Sequence, residues 1–293
     1  MNKACYICKS TTFQLVDGVV SDIPGLKIFK CENCNLIFLE NFDHIDKDYY
    51  QNGEMNEDNR EGVDSKCKNL EYWCKSTHED DHRRFEFLKD ELLEKDILDF
   101  GSGAGGFLSL AKDVANSASG IEPNKNISDF YKSKKLSHYS KIEDLNSKSE
   151  FDIITAFHVI EHLKDPVLYL LKIKKLLKKG GSMYLEFPNA DDALISYYKN
   201  ESFSHFTFWS CHLMLFNYKN IETIARKAGL SVVQNLQVQR YPISNHLYWL
   251  AKGKPGGQNI FTEFNCDRLN REYLNILAKN KMCDTILVEM KEL

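Results

Sequence analysis

The segment DILDFGSGAGG, residues 96–106, constrains this chain more than any other, because a short apolar run ends in an acidic residue and then in closely spaced glycines. Ile97, Leu98 and Phe100 read as a buried strand, and Gly101, Gly103, Gly105 and Gly106 supply backbone freedom where a Cβ has no room. The following FLSLAKDVA reads as a helix. Strand, glycine turn and helix make a nucleotide-cradling corner, where a ligand meets bare backbone N–H groups at the positive end of a helix. Spacing alone does not name that ligand. Gly101, Gly103 and Gly106 fit the G-x-G-x-x-G pattern of dinucleotide folds, and an acidic residue, Glu122, follows about 20 residues on.

A polar helical pattern over residues 60–94, carrying Trp73, His78, Arg83, Arg84 and Phe85, leads into this corner. Strands then alternate with helices: the pattern predicts strands at 96–100, 117–121, 137–139, 151–157 and 182–187. After Tyr218 come a helix (NIETIARKAG, stopped by Gly229), a strand (LSVVQNLQVQ), a helical insert over about 241–280 and a last strand near 285–290. Such alternation predicts a parallel sheet with helices on both faces and ligands at the carboxyl ends of its strands. Glu122 ends the second strand in GIEPN, where a carboxylate accepts hydrogen bonds from vicinal ribose hydroxyls. SKIEDL, residues 140–145, presents backbone around Ile142 to an adenine edge. The basic run LKIKKLLKKG, residues 171–180, has apolar residues at helical spacing and reads as a solvated outer helix face.

Cys5 and Cys8 form one C-x-x-C pair, and Cys31 and Cys34 a second, across a β-rich stretch with Gly18, Pro24 and Gly25. Two such knuckles fill the four corners of a tetrahedron, so the pattern predicts a structural zinc ribbon with no open coordination position. A module this small needs the staple, which is worth on the order of 10 kcal/mol. Nine cysteines in a chain without an N-terminal apolar signal run argue for thiols and metal ligation, hence a cytoplasmic address. No apolar stretch approaches the roughly 20 residues that span a bilayer. Cys67, Cys74, Cys211, Cys266 and Cys283 show no ligand spacing and read as buried small hydrophobes. Net charge is −4, and residues 1–60 hold six Lys or Arg against ten Asp or Glu, so the ribbon is a poor phosphate binder and nucleic acid is disfavoured as a partner.

LDFGSGAGG, GIEPN and FDIITAFHVIEHLKDP, in this order, are where the chain resembles class I S-adenosylmethionine-dependent methyltransferases, over residues 85–235. The resemblance implies an α/β, Rossmann-like, seven-stranded and mostly parallel sheet of order 3-2-1-4-5-7-6. It places this sheet in residues 95–293, behind a small zinc-ribbon domain (1–60) and a helical linker or lid (61–94). It also implies that Phe100, Gly101, Ser102, Gly103 and Phe107 hold the methionine part of the cofactor, Glu122 with Pro123 the ribose, and Ile142 the adenine. Phe157 and His158 then lie near the sulfonium. A zinc ribbon followed by paired tyrosines, here KDYYQNGE, resembles bacterial methyltransferases of sugars and surface-glycan precursors, and QRYPISNHLYWLAKGKPGG resembles a tail of related enzymes. Sugar C-methyltransferases of that group carry a further C-terminal domain, which turns the expectation here toward oxygen.

Methyl transfer from a sulfonium is an in-line displacement, so the enzyme positions the acceptor and removes one proton when the acceptor is a hydroxyl. His158 and His162 are the expected bases. His212, in the aromatic stretch 199–217 with His205 and Trp209, is a third; Phe206 and Phe208 there read as core. Arg240, Tyr241 and His246 are expected to touch an anionic or hydroxylated acceptor. His158 to His162 also spells H-x-x-E-H, a zinc-peptidase motif, but it follows a buried strand instead of lying on one helix face. A divalent metal held by Glu161 and His162 has no support in the spacing. The expected function is methylation of an oxygen on a small polar acceptor, a surface-polysaccharide (capsule) precursor sugar or phosphate-type group, by a chain free to form a homodimer. Two alternatives stay open: an rRNA or tRNA methyltransferase with the ribbon as RNA reader, and a non-catalytic scaffold that binds S-adenosylmethionine.

Overall fold

A computed structural model describes residues 4–46, 49–51, 70–146 and 150–293. The expected helix over 60–69, Cys67 and the ends of KDYYQNGE lie outside the described residues. Among the described residues eleven strands follow in chain order: β1 (Phe13–Leu15), β2 (Ile28–Cys31), β3 (Ile37–Leu39), β4 (Asp96–Phe100), β5 (Ser117–Ile121), β6 (Ser137–Tyr139), β7 (Phe151–Phe157), β8 (Leu177–Pro188), β9 (Met214–Leu215), β10 (Leu230–Val238) and β11 (Thr285–Glu292). Seven of them form one sheet in the order β10-β11-β8-β7-β4-β5-β6, which in body numbering is the expected 3-2-1-4-5-7-6. Strand β11 runs antiparallel to both β10 and β8, and the other neighbours are parallel.

The apolar runs of β4 and β7 explain why these strands sit at the centre. Ile97, Leu98, Ile153 and Ile154 are buried from both faces, a burden that only a parallel sheet flanked by helices imposes. Their carboxyl ends converge at one edge, where Phe100 pairs with Ile121 across β5 and Phe157 with Glu186 across β8.

The basic run corrects the sequence reading. Its helix covers Pro166–Lys174 and stops, and Leu177 already pairs with Phe151, so Lys178 and Lys179 belong to β8. Gly180, with φ of +81°, sits at the register shift that lets β8 start five residues early. Lys178 is not free in solvent either: its Nζ donates to Asp96 at 2.7 Å and to Asp152 at 2.9 Å, closing the bottom of the sheet.

Strands β1, β2 and β3 make an antiparallel sheet whose fourth strand, β9, comes from the body: Ile37 pairs with Leu215 and Phe38 with Met214. The two parts share one apolar core in which Phe38 and Phe42 pack continuously with Phe216, Ile221 and Leu98. Polar ties reinforce it. Asn217 and Asn220 both donate to the Cys34 carbonyl, Ser210 donates to Asp22 at 2.6 Å, and the Tyr50 hydroxyl donates to the His162 carbonyl at 2.8 Å. Cys5, Cys8, Cys31 and Cys34 bring their sulfurs within 4.8 Å of one another, with Cys5 to Cys34 at 3.6 Å and Cys8 to Cys31 at 3.5 Å. Of the remaining cysteines, Cys211 and Cys283 are buried as expected, whereas Cys74 is half-buried and Cys266 exposed. Among the described residues no helix is long and apolar enough to cross a membrane.

Candidate active site

The glycine turn follows β4 and is tied down from inside. Gly101 and Ser102 both donate to the Ile121 carbonyl, at 2.8 and 3.1 Å, and Gly105 donates to the Ser102 carbonyl. Gly103 donates to Glu122 Oε2 at 3.1 Å. The amides at 101, 102, 103 and 105 are therefore engaged, which corrects the expectation of bare N–H groups, and the helix behind them, Gly106–Ala111, is too short for a strong dipole. What the turn offers is shape. At Gly101 (φ +75°) a Cβ would stand 2.4 Å from Val159, and at Gly106 one would stand 2.0 Å from the Asp81 carboxylate. The Tyr131 hydroxyl donates to Ser102 Oγ or to the Gly103 carbonyl, at 2.7 and 3.0 Å, holding the turn from its far side.

Glu122 spans the corner, since its Oε1 also accepts the Asn124 amide at 3.1 Å. Burial raises its pKa, and the two amides pull the other way. Each oxygen keeps a second lone pair, so ribose hydroxyls still find acceptors there.

A cavity of about 1770 Å³ opens over this edge of the sheet. All ten expected cofactor residues line it: Phe100, Gly101, Ser102, Gly103, Phe107, Glu122, Pro123, Ile142, Phe157 and His158. Ile142 arrives in a short turn, Ile142–Asp144, after β6. His162 and His212 line the same cavity, as do Arg240, Tyr241 and His246 from the region after β10. Its outer part is aromatic, with Phe203 and Phe206 packed on Trp249 at ring distances of 5.1 and 5.0 Å. Phe206 thus lines the chamber, while Phe208 is core, 2% exposed, as read.

The three histidines are not equivalent. His158 follows β7 with φ of +55°, a left-handed conformation rare outside glycine, and lies between two buried carboxylates: Nε2 is 3.0 Å from Glu186 and Nδ1 3.4 Å from Glu161. Burial pushes its pKa down, but the two carboxylates more than offset this and raise it above the ordinary value. Once protonated, this imidazole has no lone pair to take a proton. His212 is the opposite case: burial and then the neighbouring His162 lower its pKa to about 4, so it is neutral near pH 7, and its Nδ1 has no hydrogen-bond partner among the described residues. His162 donates from Nδ1 to the Cys211 carbonyl at 2.7 Å, so in its neutral tautomer Nε2 carries the lone pair. His162 belongs to the turn Ile160–His162, so the H-x-x-E-H motif straddles a strand end and a turn, not one helix.

Sequence reasoning missed the group that holds His158. The buried Glu186 accepts from Arg83 at 2.9 and 3.1 Å, from Arg84 at 3.2 and 2.9 Å and from His158. This ties the helix Leu70–Leu92 across the carboxyl end of β8, and Arg84 also stacks on Phe157 at 4.6 Å. An acidic residue at the end of an apolar strand was the only available signal. Arg240 is likewise committed, to Asp80 at 2.9 Å, and His246 to the Tyr273 hydroxyl at 2.7 Å.

A seven-stranded sheet of this order, with a glycine turn after its first strand and Glu122 and His158 at one cavity, is the architecture of class I S-adenosylmethionine-dependent methyltransferases. A family model described as a methyltransferase domain matches residues 71–235, more than half of the chain, and the chain belongs to that family. A mitochondrial ubiquinone biosynthesis O-methyltransferase of Candida albicans is 35% identical over 125 residues, 37% of this chain and 36% of that protein. A tRNA U34 carboxymethyltransferase of Alteromonas mediterranea is 28% identical over 109 residues, 32% of this chain and 33% of its own length. The matches thus span about a third of these relatives. Among solved structures, a SAM-dependent methyltransferase of Thermotoga maritima superposes with a TM-score of 0.51 at 18% identity, over 76% of this chain and 94% of the other, a likeness of fold.

Proposed function

We propose that the chain moves a methyl group from S-adenosylmethionine to a hydroxyl oxygen of a small, ring-bearing acceptor. The observation that carries this is the single cavity joining the ten cofactor-site residues to the His162–His212 pair and to the aromatic chamber of Phe203, Phe206 and Trp249. In this reading Glu122 holds the ribose, Ile142 the adenine edge and the glycine turn the methionine part. His158, held between Glu161 and Glu186, positions the methyl end, and the acceptor oxygen meets His162 and His212, which take its proton. Oxygen as the methylated atom is supported by the O-methyltransferase relatives. A sugar of a surface-glycan (capsule) precursor is supported by the resemblance of KDYYQNGE and residues 239–257, while the comparisons name ubiquinone biosynthesis and tRNA instead. The acidic N-terminal sixty residues weigh against RNA.

We further propose zinc at Cys5, Cys8, Cys31 and Cys34. Sulfur–sulfur distances of 3.5 and 3.6 Å fit four thiolates about 2.3 Å from one ion, a closed site that supplies stability and no chemistry.

The test is methyl transfer from labelled S-adenosylmethionine to three acceptor sets: nucleotide sugars, hydroxylated aromatic rings and tRNA. One of the small-molecule sets is expected to gain a methyl on oxygen, with His212→Asn lowering turnover roughly 100- to 10,000-fold. Methylation of tRNA alone, or cofactor binding with no acceptor turned over, overturns the proposal.

A further inference from the structure

We propose that His162, Cys211 and His212 form a second metal centre, for a zinc-class divalent ion, in the wall of the acceptor chamber. One ligand atom from each residue lies within 4.8 Å of the other two. Two imidazoles and one thiol are a borderline-soft donor set that selects zinc and its neighbours over magnesium or calcium.

The site is built in advance. His162 Nδ1 donates to the Cys211 carbonyl at 2.7 Å, the usual device that fixes a ligating imidazole's tautomer and turns its other nitrogen toward a metal. Leu213 donates its amide to the Glu161 carbonyl at 3.0 Å, so the turn carrying His162 and the segment carrying Cys211 and His212 are joined backbone to backbone. The Tyr50 hydroxyl fastens the His162 carbonyl from the other side. The His212 ring stacks on Trp209 at 6.2 Å, and its Nδ1, buried, has no hydrogen-bond partner among the described residues.

Charge points the same way. Glu161 is fully buried, with His158 Nδ1 3.4 Å from its Oε1. It precedes His162 directly in the chain, and a buried carboxylate there favours a cation beside the two imidazoles. Three protein ligands with the histidines facing the cavity make an open site, unlike the closed cysteine set at the front of the chain. The open position is where an acceptor oxygen would sit. That role rests on the methyl-transfer reading, and in the ion-loaded protein the two histidine nitrogens hold the ion instead of a proton. Ion binding itself does not depend on that reading.

Intact-mass measurement under native conditions tests it, on the whole chain produced with zinc in the medium, as wild type, Cys211→Ser and His212→Asn. Wild type is expected to carry one more zinc per chain than either variant, with all three giving the same circular dichroism. The front cysteine site is common to the three and cancels. Equal zinc counts overturn the proposal, and if Cys211→Ser does not fold, His212→Asn decides alone. A chain that methylates nothing yet carries the extra zinc would sink the proposed function and leave this centre standing.

Discussion

Glu122 and Asp99 lie 23 positions apart in the chain and end up in the same corner, both lining the cavity. Glu122→Ala removes a charged acceptor and frees the Gly103 amide. It is expected to weaken S-adenosylmethionine binding by about 1.5–3 kcal/mol, roughly 10- to 150-fold, by titration calorimetry. Unchanged affinity would remove it from the ribose. Asp99 accepts the Thr155 hydroxyl at 2.7 Å and is fully enclosed, and burial raises its pKa from 3.8 to about 7. Because the folded value lies above the unfolded one, its contribution to stability is fully present below about pH 3.8 and is lost as pH rises toward 7. The stability difference between wild type and Asp99→Asn is therefore expected to shift against the wild type by a few kcal/mol between pH 4 and 7 in urea melts. A pH-independent difference would show Asp99 ionised in both states.

The helix Leu70–Leu92 shows how an element acquires its role from a partner far away in sequence. Its polar pattern was legible, and so were the first four body strands at their observed bounds, because apolar runs bounded by glycines and charges leave little choice of register. Its docking was not legible. Arg83 and Arg84 meet Glu186 about a hundred residues later, a pairing no local pattern encodes. Glu186→Gln leaves two guanidinium groups and His158 without their carboxylate. It is expected to cost about 3–5 kcal/mol in urea denaturation and to loosen the helix over the glycine turn, read as faster amide exchange across 73–84. Exchange unchanged with stability lost would confine the carboxylate's role to the strand. The early start of β8 was also hidden, since lysines and two glycines look like the end of a helix until Phe151 is found pairing with Leu177.

At the scale of the whole molecule, the small cysteine sheet and the large sheet are one body. Strand β9 completes the first sheet, and the segment leading into it carries His212 to the cavity, with Cys211 buried beside it. Loss of the cysteine site should therefore reach the active site. Cys31→Ser is expected to lower Tm in a single cooperative transition and to weaken methyl transfer along with it, by calorimetry and turnover. A separate early transition, with the main one unmoved, would show that the cysteine sheet melts alone.

The strand order was implied by the resemblance of three motifs to a known family, while the alternating sheet class, the glycine turn, Glu122 and the two cysteine pairs came from the residues themselves. Each is written in local spacing: apolar period, glycines where a Cβ has no room, and knuckles three positions apart. Only the tertiary structure showed that His158 lies between two carboxylates while the buried Nδ1 of His212 has no hydrogen-bond partner among the described residues. It alone showed that Glu186 holds His158 and that Cys211, read as a core residue, stands beside two imidazoles. Protonation and ligation depend on what burial and the fold bring within a few ångströms, and for these residues the neighbours come from strands and turns distant in the chain.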